Sequence, residues 1–412
     1  DYIKELRFNR AIETIRKEQV KTIAESGRRM GMSRLNQTQQ KYPCVYMRGG
    51  TSKAVFFHRE DLPEDEALWD EIFLKVEGSP DVKQIDGMGG TVSSTSKIVV
   101  ISRSQQPETD VDFTFFQVAV DKAQVIHNVS CGNIGSAVGS YAIDEGLVPA
   151  RSDKEVTRVR IYNTNTKKYM EDWVRTKDGH ACMYGDCSIQ GVPGTGSRVD
   201  EYFLDPAGAV TGKLFPTGQT QDLVELTDGR KIPVTVIDSG NLVVILNAGS
   251  LGLSGKEQQE LNNDAAAMGV LEEIRGRIAE KLGMVSDWRK AAAVTPAAPD
   301  LAFVSGPQEY EALGGGSVKE QEMDLCCRAL SMGKVHKAYP VTVAIATGSA
   351  VGLKGTVVSE ITGVRTDSAS VRLGHASGVM DVTVVSDGKT IERAGVVRTA
   401  RRIMDGFVYI RS

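Results

Sequence analysis

Pro340-Val341-Thr342-Val343-Ala344-Ile345-Ala346-Thr347-Gly348-Ser349-Ala350-Val351-Gly352 is apolar or small at every position. Proline at its start presets a helical φ and glycine at its end stops the helix, so the spacing predicts a helix over 341–351. A helix without a polar face has to be enclosed on all sides. Residues 134–147, with Ala137, Val138, Tyr141, Ala142 and Ile143 and a stop at Gly146, read the same way. One enclosed helix in each half predicts an α/β chain with two sheets, each wrapped around its own central helix.

The flanking sequence supplies the strands. Residues 45–47, the turn 48–52 and residues 54–57 read as strand, turn and strand. A surface helix is expected over 64–76 and a half-buried strand over 110–120. Short strands follow at 158–161, 169–174 and 181–184, divided by Asn, Lys, Asp and Gly turns. The Gly/Pro/Thr-rich residues 191–196 and 205–218 read as the crossing between halves. Beyond it, Leu271, Ile274, Ile278 and Leu282 mark an amphipathic helix stopped by Gly283, and a Pro/Ala loop returns the chain to a strand over 301–304. The expected division is a peripheral, helical extension over 1–40 and two domains, 41–205 and 206–392. The extension carries too many acids for a targeting peptide.

Composition narrows the class. With a net charge of −4 and no long basic stripe, nothing supports nucleic-acid binding. No apolar run approaches the ~20 residues that span a bilayer. The spacing of Cys44, Cys131, Cys182, Cys187, Cys326 and Cys327 fits no zinc pattern and no disulfide scaffold. Reduced thiols in a cytoplasmic protein are the expectation, with Cys182 and Cys187 as the one pair to weigh against it. A homodimer is the default assembly, because most soluble oligomers are two-fold.

Chemistry concentrates in a few polar stretches. Ser93-Ser94-Thr95-Ser96-Lys97 runs into the apolar strand Ile98-Val99-Val100-Ile101. A lysine at the mouth of a buried strand is partly desolvated, the condition that makes an amine a usable base. The plainer alternative is a solvent-reaching lysine on an edge strand. Cys131-Gly132-Asn133 opens the first enclosed helix, where unpaired amides can hold a carboxylate or an enolate oxygen and favour a thiolate. The plainer alternative there is a small buried cysteine before a turn. Arg48-Gly49-Gly50-Thr51-Ser52 offers a guanidinium, turn amides and hydroxyls to an anion. Gly87-Met88-Gly89-Gly90 lacks the spacing of a dinucleotide fingerprint. His336 and His375 are the histidines to follow, with a core role the simpler reading of each. His58, His127 and His180 share no pattern with acids, so no metal site is expected.

Together these motifs resemble a family. Met47-Arg48-Gly49-Gly50-Thr51-Ser52-Lys53, Gln84-Ile85-Asp86-Gly87-Met88-Gly89-Gly90, Ser94-Thr95-Ser96-Lys97 and Cys131-Gly132-Asn133 look like the PrpF family. So do Gly212-Lys213-Leu214-Phe215-Pro216-Thr217-Gly218, His336-Lys337-Ala338-Tyr339 and the stretch from Arg398 to Gly406. The resemblance runs in order from about Tyr42 to the C-terminus. It implies two pseudo-symmetric diaminopimelate epimerase-like domains, each a curled, mostly antiparallel sheet around a central helix, with the C-terminal 393–412 returning to the first. It also implies an isomerase of unsaturated acids (2-methylaconitate, 3-methylitaconate, 4-oxalomesaconate, aconitate) with catalytic Lys97 and Cys131. Where amino-acid epimerases of this fold open each central helix with a cysteine, the second helix here opens Val335-His336-Lys337-Ala338-Tyr339-Pro340. That departure disfavours a two-thiol racemisation.

The expected function is cofactor-free isomerisation of a small unsaturated di- or tricarboxylate. Lys97 and Cys131 would carry the chemistry, and Arg48, Gly49, Thr51, Ser52, Ser94, Thr95, Ser96, Gly132, Asn133 and His336 would hold the substrate. The rivals are an epimerase or racemase of the same fold and a non-catalytic carboxylate-binding protein.

Overall fold

The computed structural model describes residues 39–127, 129–151 and 155–411. Nearly all of the expected 1–40 extension falls outside them; Gln39 and Gln40 open a strand. Two compact units are distinguished, Pro43–Val408 and a second made of residues 1–42 with 409–412; the first carries the architecture below.

The strands form two sets that repeat one order of pairing. In the first, Gln39–Gly49 pairs antiparallel with Ser52–His58, which pairs parallel with Lys97–Arg103. Lys97–Arg103 then pairs antiparallel with Val111–Val118, and that strand parallel with Val156–Asn163. Lys168–Lys177 and Arg198–Leu204 complete the set by two antiparallel steps. In the second, Lys231–Asp238 pairs antiparallel with Leu242–Asn247, which pairs parallel with Asp300–Ser305. Leu325–Ser331 follows antiparallel, Asp367–His375 parallel and Gly378–Ser386 antiparallel. The long strand Ile391–Arg411 pairs with Gly378–Ser386 of the second set and with Arg198–Leu204 and Gln39–Gly49 of the first. This closes the first set into a ring.

Each set packs on a helix. Val341–Val351 forms as expected and is buried at all of its residues, lying against Lys231–Asp238, Leu242–Asn247, Asp367–His375 and Gly378–Ser386. The first central helix departs from expectation. It breaks into Gly132–Gly135 and Val138–Asp144, because Asp172 Oδ2 accepts the Gly139 amide at 2.8 Å and takes that donor from the helical ladder. Apolar side chains from both helices and the facing strands make one continuous core. A second core lies under the amphipathic helix Ala265–Lys281. The surface helix near 64–76 is shorter than expected, Trp69–Glu77, and ends at Gly78 with φ 76°. Residues 181–184 form only the short strand His180–Ala181.

Candidate active site

Lys97 is the first residue of its strand and only 7% exposed. Its Nζ donates to Gln117 Oε1 at 2.5 Å and lies 5.0 Å from the centre of the Phe115 ring. Gln117 is in register with Lys97 on the neighbouring strand. Its Nε2 donates to the carbonyls of Ser96, at 2.8 Å, and Ser93, at 3.1 Å. The amide is thereby fixed with its oxygen toward the amine. The sequence carried a signal for Gln117: period two puts it on the face of Val111, Phe113 and Phe115, a polar side chain closing an apolar row.

Lys97 faces an inner cavity of about 60 Å³. Of the expected site residues, Ser52, Ser94, Cys131, Gly132, Asn133 and His336 line it too. The first turns of both central helices contribute to its wall, Cys131 to Asn133 from one and Pro340 to Thr342 from the other. They touch at Gly132, where an added Cβ would sit 2.5 Å from Val341 Cγ1. First-turn amides have no partner within a helix and carry the positive end of its dipole, so the cavity is suited to anions. A wider cleft of about 610 Å³ adjoins, sharing Ser93, Ser94, Gln117, Ser331, Met332 and His336.

His336 Nδ1 accepts the Ala338 amide at 3.1 Å, which leaves the proton on Nε2. Although the ring is reachable from the cavity, the surrounding protein pushes its pKa down to about 4, so it is a neutral donor near pH 7. His375 is a core residue: burial pushes it down to about 3, and its Nδ1 accepts the Ser377 amide.

Several expected ligands do not line the inner cavity. Arg48 lines neither the inner cavity nor the wider cleft, and its Nη1 donates to the carbonyls of Gly50, at 2.9 Å, and Thr399, at 2.7 Å. Gly49 packs on the Asn133 carbonyl, where an added Cβ would sit 2.3 Å from the oxygen. Thr95 Oγ1 donates to the Val92 carbonyl, and buried Ser96 accepts from Gln84 Nε2 at 2.7 Å. Thr51 borders the outer cleft. Conversely, Gln117, Asn241 and Asp300 line the inner cavity without having been singled out from the sequence. Asn241 Nδ2 donates to Asp300 Oδ2 at 2.8 Å. Burial pushes the Asp300 carboxyl up to about 7, against the opposing pull of Arg275, the Asn241 bond and Lys97.

Among the described residues no group of three His, Cys, Asp or Glu is placed to hold a metal ion. No helix among them is long and apolar enough to cross a membrane. All six cysteines are free, so Cys182 and Cys187 form no bridge.

Residues 39–411 match the model of the PrpF protein family. The chain belongs to the PrpF family. It is 42% identical over 375 residues to the 3-methylitaconate isomerase of Eubacterium barkeri, covering 90% of this chain and 98% of that protein. To the 2-methyl-aconitate isomerase of Shewanella oneidensis it is 39% identical over 388 residues, covering 90% and 97%. The crystal structure of a methylitaconate-delta-isomerase superposes with a TM-score of 0.75 at 41% identity, over 90% of this chain and 96% of that one. A hydroxyproline epimerase from Agrobacterium vitis superposes with a TM-score of 0.52 at 12% identity, over 90% and 92%, a likeness of fold alone. This PrpF chain is therefore an isomerase with the mixed α/β, sheet-rich fold shared with those enzymes.

Proposed function

We propose that this PrpF isomerase acts on small unsaturated di- or tricarboxylates, moving a C=C or inverting its geometry by allylic proton abstraction with its own side chains. The observation that supports this most is the convergence of a buried lysine and the first turns of two helices on one cavity. The Lys97 amine takes a proton from the carbon allylic to a C=C conjugated with a carboxylate. The charge spreads into a dienolate, whose oxygens are held by the amides at Gly132 and Asn133. Preorganised donors of this sort contribute ~3–4 kcal/mol each, more than they would in water. A positioned base contributes ~10²–10⁴-fold.

Ser52, Ser94 and the Nε2–H of His336 offer donors to the remaining carboxylates. Cys131 sits beside the same skeleton at the helix mouth, as proton donor or as wall. Reprotonation at another carbon transposes the double bond; reprotonation at the original carbon after rotation inverts its geometry. The acids named for the two relatives are branched and unsaturated with such allylic hydrogens, which makes them the first substrates to try.

The test is proton NMR in heavy water with 2-methylaconitate, 3-methylitaconate, aconitate and oxalomesaconate. Wild-type protein should convert at least one acid, with deuterium entering along its allyl system. Lys97→Ala should lose at least ~10²-fold in rate. A Lys97→Ala rate within ten-fold of wild type would sink the assignment, and exchange at an isolated stereocentre would replace it with an epimerase.

A further inference from the structure

The two strand sets place a second ionisable group where the first set places Lys97. Lys97 opens the third strand of its set, and Asp300 opens the third strand of the other. Each of those strands pairs parallel with the second strand of its set and antiparallel with the fourth. Ser52, which opens the second strand of the first set, and Asn241, which just precedes the second strand of the other, also hold matching places. All four side chains belong to the wall of the same inner cavity. The internal repeat therefore brings Lys97 and Asp300 to one chamber from the two strand sets.

Asp300 is 8% exposed, and its charged and titratable neighbours are few. Arg275 approaches from the helix Ala265–Lys281, Lys97 from the first strand set, Tyr339 from the entry to the second central helix, and His336 shares the cavity wall. Arg275 is committed elsewhere, with its guanidinium on Glu272 at 2.7 Å and on the Thr295 carbonyl at 2.8 Å. Among the described residues Asp300 makes no ion pair within 4.0 Å, so it is not the buried half of a salt bridge. A carboxyl kept near neutrality by burial, fixed through one oxygen by Asn241 and facing the cavity, can both hold and release a proton there.

We infer that Asp300 is a second catalytic residue, the proton carrier for the far end of the allyl system while Lys97 serves the near end. The Lys97 amine accepts the allylic proton and becomes an ammonium, and the C–H electron pair becomes the new π bond. The former π pair forms a C–H bond at the far carbon with the Asp300 proton, leaving a carboxylate. The extra proton on Lys97 equals the one missing from Asp300, so a single return transfer, or exchange of each with water, restores the starting state. In the reverse reaction the roles exchange, with Asp300 as base and Lys97 as acid. This assignment rests on Lys97 as the base of the proposed isomerisation.

Asp300→Asn separates the two halves of the reaction. With an acid whose double bond wild type transposes, the variant should lose ~10²–10⁴-fold in isomerisation. Exchange of the substrate's allylic hydrogen with deuterium from heavy water should stay within about ten-fold of wild type, because Lys97 still removes and returns it. Asp300→Glu should recover part of the isomerisation. Lys97→Ala should lose exchange and isomerisation together; if it keeps both, the lysine assignment fails whatever Asp300 does. Isomerisation by Asp300→Asn within ten-fold of wild type overturns the inference, as does a parallel loss of exchange and isomerisation. Should that variant not fold, a single turnover of wild type equilibrated in heavy water decides. Deuterium alone at the newly protonated carbon is expected, and protium carried there from the original carbon overturns the second carrier.

Discussion

Gly132 is where the two central helices touch, and its missing side chain is what lets them. An added Cβ would lie 2.5 Å from Val341 Cγ1 and 2.9 Å from Phe203 Cζ, both in packed surroundings. Gly132→Ala must therefore push the helices apart, and overpacking of this kind costs ~1–3 kcal/mol. The urea midpoint should fall, and kcat/KM should drop by about 10²-fold because the cavity amides move with the helix. Gly269→Ala is the control: it lies in the helix Ala265–Lys281, where among the described residues nothing beyond its own helix backbone and chain neighbours comes within 4 Å of the added carbon, and it should be neutral or stabilising. Individual residues differed in how far their local sequence revealed them. Lys97 and Cys131 stood out because a hydroxyl run before an apolar strand, and a thiol before a face-less helix, are local patterns. Asp300 after Pro299 and Asn241 after Ser239-Gly240 look like ordinary turn residues. Only the pairing of Leu242–Asn247 with Asp300–Ser305 brings them together. Arg48 is the opposite case: its neighbourhood suggested an anion, while the fold places carbonyls against its Nη1.

At the scale of elements, Val341–Val351 was legible to the residue because proline and glycine bound it and no distant group interferes. The break in the first central helix was not, since residues 134–147 contain no proline and the cause lies on another strand. Asp172, which captures the Gly139 amide, stands directly opposite Glu201 across paired strands, and both are fully buried. Burial raises the pKa of both carboxyls, and the charge of Asp172 raises Glu201 further. Like charges placed opposite one another in a sheet repel, so the pair retains a proton that free carboxyls lose above about pH 4. The folded state then binds more protons than the unfolded one, and stability is greatest below that pH and falls as pH rises through the folded-state values. The slope is at most ~1.4 kcal/mol per pH unit for each extra proton held. Asp172→Asn keeps an oxygen for the Gly139 amide and removes one of the two charges. Urea midpoints at pH 5 and pH 8 should show a smaller fall in the variant than in wild type. An equal fall would mean that the pair does not govern this pH dependence.

Across the whole molecule, Ile391–Arg411 is the strand that both sets share, and it carries the buried cation that balances this pair. Burial lowers the pKa of Arg398 to about 10, so it remains charged at pH 8. Its Nη1 donates to the Val397 carbonyl at 2.8 Å, and its Nη2 reaches the Met380 sulfur in the second strand set. Its attraction to Glu201 belongs to the first set, and neither its Nε nor the Glu201 oxygens have a hydrogen-bond partner among the described residues. One positive charge against two carboxyls sharing a proton leaves this cluster near neutral. Arg398→Met keeps the bulk and removes the charge, so the pair must either bury an uncompensated anion or take up a second proton. Removing one member of a buried charge set typically costs ~3–5 kcal/mol. Most of that should appear at pH 8, where a proton is costly to bind, and much less at pH 5. Because the strand serves both sets, the loss should shift one cooperative transition and leave no separate early melt of either set. Equal destabilisation at both pH values would assign the arginine a packing role only. A biphasic urea curve would mean that the sets unfold independently of the strand that joins them.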